Sequence, residues 1–187
     1  MPVQVVDTLP DEVWRNPANI YIGESPTVLL GVTRGGIAWD AEKTMGTIEF
    51  DGRRSDIQGH DRIVKYGGKL TATIIQLGGT GQLDRLEPGS SSSTGTAPIS
   101  TTITPADAGA FFAEGAYLAD VRAIWDGGAG VFWSLHLFSA LVAKYTIKAG
   151  ADDQVEVDLE FHARTDLTAQ ANGDAPYEFE KRTAVPT

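Results

Sequence analysis

The groups with which this chain could do chemistry are 3 histidines and 25 carboxylates, with no cysteine among its residues. His60, His136 and His162 lie far apart, and none has a partner at a metal-binding spacing such as HExxH or HxH. His136 stands in an apolar run, where a histidine satisfied in a core or interface is the ordinary reading. The stretch DIQGHD puts Asp56 and Asp61 around His60, yet no G-x-S-x-G nucleophile elbow exists for them to serve. GGTGQ, Gly78 to Gln82, lacks the G-K-[ST] ending of a phosphate loop and runs into serines rather than a helix. Glu49 and Asp51 are spaced to share one face of a strand and could form a glycosidase pair. Solvated charge on an exposed strand is the simpler account of them. DAEKTMGTIEFD does not follow the calcium-loop pattern. The absence of cysteine excludes thiolate metal sites, disulfide scaffolds and cysteine nucleophiles. The chain therefore reads as a protein without catalysis, metal or cofactor.

The carboxylates matter differently in DDQVEVDLEFHAR, Asp152 to Arg164. Val155, Val157, Leu159 and Phe161 alternate with Glu156, Asp158, Glu160 and His162, the signature of a strand with one apolar and one acidic face. That acidic face is either the solvated side of a sheet or a surface made to meet something. Lys+Arg 15 against Asp+Glu 25 leaves a net charge of −10. A balance of that sign opposes gripping nucleic acid through its phosphates and docking on anionic lipid. The opening MPVQVVDTLPDEVW has no basic region followed by an apolar core. The longest nearly apolar run, Val131 to Ala143, is shorter than the ~20 residues of a membrane-spanning helix. The expectation is an acidic, soluble protein that uses no membrane.

These groups must be positioned by a domain of 187 residues, a length that suits one fold. Residues 1–19 lack periodicity and read as an N-terminal arm anchored by Trp14. VLLGVT, Val28 to Thr33, reads as a short strand ending in a turn at Gly35-Gly36. A hairpin follows, with Ile37 and Trp39 on its first strand, AEKT as its turn, and Ile48 and Phe50 on its second. Ile63 to Leu77 continues the β pattern, with Gly67-Gly68 as a bulge or kink. The segment 78–98 is Gly/Ser/Thr-rich and reads as a flexible surface loop. TPADAGAFFAEG predicts a short helix capped by Thr104, with Pro105 in its first turn and Gly115 closing it. A hairpin is expected around Gly127 to Gly130, flanked by Trp125 and Trp133, then a helical turn at Ser139 to Leu141. A second hairpin should turn near Gly150, and residues 165–187 form a polar tail with an extended stretch at Tyr177 to Phe179. Many strands and no βαβ rhythm predict a mainly β fold, an antiparallel sandwich or barrel with one short flanking α-helix.

Two stretches taken together resemble the major tail tube proteins of long-tailed bacteriophages. The first runs from Pro26 to Leu77, with G-x-T-x-G-G at Gly31 to Gly36, then IEFDG and QGHDRIVKY. The second is TPADAGAFFAEGAYLADVRAIW followed by a Gly-rich hairpin. The likeness spans roughly Pro26 to Arg164 and is one of pattern, without a strict signature. It implies subunits that form stacked, hexameric rings, their inner strands joined into one barrel around a channel for viral DNA. Partners implied are further copies of the chain and the tape measure, tail tip and tail terminator proteins. The implied setting is the virion tail, with assembly in the host cytoplasm. Glu49, Asp51, Glu156, Asp158 and Glu160 would line an acidic lumen that repels DNA without binding it. Gly89, Ser90, Ser91, Ser92 and Ser93 would form a loop reaching the next ring. The alternative is a monomeric β-sandwich module binding carbohydrate through Trp125 or Trp133; a hydrolase with an unrecognised carboxylate pair is a more distant one.

Overall fold

The computed structural model describes residues 17–23, 28–47, 61–75, 86, 89–94, 100–105, 117–148, 155–165 and 167–183, those of 89–94 and 100–105 as backbone. Among the described residues, nine strands and a short helix follow one another: β1 (Asn19–Ile22), β2 (Val28–Thr47), β3 (Asp61–Ile74), β4 (Gly89–Thr94), β5 (Ser100–Pro105), β6 (Leu118–Asp126), β7 (Phe132–Lys148), β8 (Glu156–Ala163), α1 (Leu167–Asn172) and β9 (Tyr177–Arg182). The order β6-β1-β2-β3-β8-β7 closes on itself through β6–β7 pairing, giving a 6-strand antiparallel barrel, with β9 added to β7. The mainly β class read from the sequence is what the chain adopts.

A barrel of so few strands is filled by side chains and encloses no channel of its own. Ile20, Leu30, Leu70, Ile74, Val121, Leu135, Leu137, Val157 and Phe161 are fully buried within it. On β8 the alternation holds as read: Val157, Leu159, Phe161 and Ala163 point inward. Val155, one step before the strand, is instead 47 % exposed, because it lies past the last paired residue, Glu156.

The long strands depart from the sequence reading. Gly35-Gly36 does not turn the chain; it forms a bulge inside one unbroken strand, the register passing from Thr33↔Ile74 to Ile37↔Ala72. Both glycines hold left-handed φ angles, 81° and 87°, which a residue without Cβ adopts freely. A glycine pair signals a turn or a bulge equally well, and here the strand beyond it finds its ladder on β3. AEKT accordingly lies within β2, paired to Tyr66, Gly67 and Gly68 and to Lys65. The expected kink at Gly67-Gly68 is absent: both residues keep register with β2. Gly68 is needed for another reason, since a Cβ there would run into the Trp39 indole.

Thr104 and Pro105 end strand β5 rather than capping a helix, and the rest of that predicted helix lies outside the described residues. The run Ser100 to Thr104 is β-favouring, and Gly89–Thr94 supplies its ladder, from Gly89↔Pro105 to Thr94↔Ser100. Gly89 to Ser93 is thus strand at the centre of the segment read as a flexible loop. Ser139 to Leu141 is strand too, held by Ala119 on one side and His162 on the other. The polar tail is part of the architecture: it contains α1, and Tyr177–Arg182 pairs with Phe132–Leu137. The N-terminal arm ends sooner than read, since Ala18 and Ile20 are fully buried and Asn19–Ile22 bridges β2 and β6. Trp14 lies outside the described residues.

Candidate functional site

Strand β8 presents its polar face outward between β3 and β7. Lateral neighbours in a sheet share a face, and the register places Thr73 and Thr146 beside Asp158, Thr71 and Lys144 beside Glu160, and Lys148 beside Glu156. Lys69 stands between His162 and Asp40 on the same side. Glu156, Asp158 and Glu160 are therefore brought together, and cations from the flanking strands stand among them.

Each carboxylate has a partner. Glu156 forms an ion pair with Arg34, which leaves β2 at the glycine bulge. Asp158 accepts from Lys148 Nζ at 2.6 Å and from Thr73 Oγ1 at 2.7 Å. Glu160 accepts from His162 Nε2 at 2.8 Å. The Lys148 hydrogen bond first, and then that of Thr73, holds the Asp158 carboxyl below the usual aspartate range. Lys148 is pushed up by the same contact. Glu160 is lowered chiefly by the His162 hydrogen bond, with help from the charges of Lys69 and Lys144. The wall of bare carboxylates suggested by β8 alone is thus a lattice of alternating charge. Glu49 and Asp51 lie outside the described residues, so nothing places them on this face.

The lysines were open to detection in the sequence. VAKYTIK alternates Lys144, Thr146 and Lys148 with Tyr145 and Ile147, a polar face complementary to that of β8. Over this face runs a groove of about 410 Å³, bounded by Arg34, Thr71, Thr73, Lys144, Asp158 and the glycine bulge.

The other chemistry-bearing residues form structure. His136 is buried between strands, its Nδ1 3.0 Å from Glu178 of β9 and its Nε2 abutting the Asp120 carboxylate without the alignment of a hydrogen bond. Arg122 Nε binds the same Asp120 oxygen at 3.0 Å. This is the interior histidine expected from its surroundings, hydrogen-bonded through Nδ1. His60 and Asp56 lie outside the described residues, and Asp61 opens β3. Among the described residues no three histidine or acidic side chains converge to hold a metal, and no helix is long and apolar enough to cross a membrane. Trp125 and Trp133 face each other across the hairpin. Trp133 lies over Gly127 with Lys181 above its ring, and Trp125 packs on the core. No protein-family model matches the chain, and no curated protein matches it.

Proposed function

We propose that this chain is a structural subunit of a bacteriophage tail tube, polymerising as stacked hexameric rings around a channel through which viral DNA passes. The observation that supports it best is the overrun of two strands past the closed barrel. Among the described residues, β7 from Leu141 to Lys148 pairs only with β8, and β2 from Ile37 to Thr47 pairs only with β3. Unpaired strand edges of that length are ones that proteins cover, blunt or use for assembly. Tyr145 and Ile147, 37 % and 46 % exposed, give the β7 edge an apolar flank.

Within this reading the β8 face lines the lumen, and its charge lattice changes how the lining works. Free lysines and arginines bind DNA by displacing counterions from phosphate. Here Arg34 and Lys148 are already held by Glu156 and Asp158. The carboxylates keep passing phosphates from finding unoccupied cations, and at a Debye length of about 8 Å the effect stays local. No catalysis or cofactor enters. The tape measure, tail tip and tail terminator proteins would be its partners along with its own copies.

Assembly is tested with Ile147→Lys, which puts charge on the edge at an exposed position. Wild-type chain, alone or with a tail tip complex, is expected to give rings or tubes in negative stain, and the variant single particles. Lone wild-type particles under both conditions would refute the proposal. The lumen assignment is tested by replacing Glu156, Asp158 and Glu160 together with Lys: tubes should form while DNA delivery fails. Full infectivity from normally assembled tails would remove that assignment.

A further inference from the structure

The chain holds three asparagines, Asn16, Asn19 and Asn172, and the residue after each decides what its side-chain amide can do. Asn16 precedes Pro17, whose ring nitrogen has no proton to give up. Asn19 precedes the β-branched Ile20 inside β1, is 8 % exposed, and donates from Nδ2 to Tyr21 Oη at 3.3 Å. Asn172 precedes Gly173 at the end of α1, and both are exposed. Gly173 has no side chain to shield its nitrogen, and the space where a Cβ would stand is open.

In the closed helix that nitrogen is engaged. Gly173 holds φ at 78°, its N–H donates to Gln170 O at 3.2 Å, and Asp174 N–H donates to Ala169 O at 2.9 Å. These two bonds make the Schellman cap of a helix end. The cap has slight support. α1 has 6 residues, with no acidic group in its first turn and no basic one in its last, and helices shorter than about 12–15 residues are marginal without packing. Thr168, Gln170 and Ala171 are exposed and Ala169 is half-buried, so the cap can open without disturbing the barrel.

We propose that Asn172-Gly173 is a self-modification site gated by this cap. When the cap opens, the Gly173 nitrogen gives its proton to solvent base and attacks Asn172 Cγ. The C–N bond of the side-chain amide breaks and ammonia leaves. Water then opens the cyclic imide at either carbonyl, giving aspartate or isoaspartate. An amide and water become an acid and ammonia, with no oxidant or cofactor consumed. Both products put negative charge at the helix C-terminus, the end that disfavours it. Isoaspartate also lengthens the main chain by a methylene between β8 and β9. The reaction needs a single chain and water, and stands apart from tube assembly.

The test is peptide mapping by mass spectrometry of the full-length chain at mildly alkaline pH, beside the same chain unfolded in guanidinium chloride. Asn172 in the folded chain is expected to gain the mass of an amide-to-acid change, more slowly than in the unfolded chain, while Asn19 keeps its amide. Ala171→Pro, which breaks the last turn, should convert faster than the folded wild type by about threefold or more. Asn172 still an amide in the folded chain when the unfolded chain is fully converted would overturn the site. Equal rates in folded and unfolded wild type, or Asn19 converting alongside Asn172, would overturn the gate. The wild-type comparison needs no variant, so it stands even if Ala171→Pro perturbs folding.

Discussion

The first half of β7 and the outer half of the β2–β3 hairpin are both antiparallel sheet, yet they live in different surroundings. Phe132 to Leu137 has β6 on one edge and β9 on the other, and Ser134, Leu135, His136 and Leu137 are all buried. Asp40 to Met45 and Arg62 to Lys65 are exposed on successive residues, with Met45 and Val64 56 % and 59 % open. In the first region both faces and both edges are occupied, so stability resides there. In the second, among the described residues, the backbone ladder carries the strand, and the side chains are open to contacts beyond the fold. Ladder pairing can extend a strand well past the core that stabilises it.

Breaking the enclosed region should cost most. Phe161→Ala, at a fully buried position, is expected to lose about 3–5 kcal/mol by urea unfolding. Gly68→Ala lies where the two regions meet. Its methyl group would displace the Trp39 ring and cost roughly 1–3 kcal/mol, with a loss of near-ultraviolet ellipticity as the Trp39–Tyr177 contact opens.

Asp158→Asn probes the charged face between them. Because the Asp158 carboxyl is lowered in the fold by Lys148 and Thr73, its contribution is present above the ordinary aspartate range, about 3.9, and is lost as pH falls through the depressed value. The wild-type melting temperature should drop more steeply below about pH 4 than that of the variant, which lacks this contribution throughout. Equal slopes would remove Asp158 as a contributor. On the outer β2–β3 hairpin, Met45→Ser should change unfolding free energy by no more than about 0.5 kcal/mol. A larger loss would mean that the outer hairpin is held by packing after all, and the contrast would fail.

Local patterns were legible where one periodicity had one meaning. The alternation of Val157, Leu159 and Phe161 fixed the buried face of β8, and Gly127 to Gly130 marked a hairpin. Glycine pairs were ambiguous: Gly35-Gly36 bulges and Gly67-Gly68 stays in register, a choice made by partners remote in sequence. Gly89 to Thr94 carries no apolar residue, so its strand depends on the ladder with β5, which no composition rule reveals. The pairing within the charge lattice was hidden for the same reason. Glu156 and Asp158 announce an acidic face, but Arg34 and Lys148 meet them only through the register of other strands. YEFEKR was legible as an extended stretch from Tyr177 to Phe179, and its place beside β7 was not.

The seam between β1 and β6 has a consequence in time. Hairpins β2–β3, β6–β7 and β7–β8 join stretches close along the chain, whereas closing the barrel requires Leu70 to meet Phe161 and Ile20 to meet Ala123. Contacts so distant in sequence carry a large closure entropy and form slowly. The barrel is therefore expected to close last during folding. Ile20→Val should speed unfolding and leave the refolding rate nearly unchanged, so a seam that closes late is also a door through which the ring opens early.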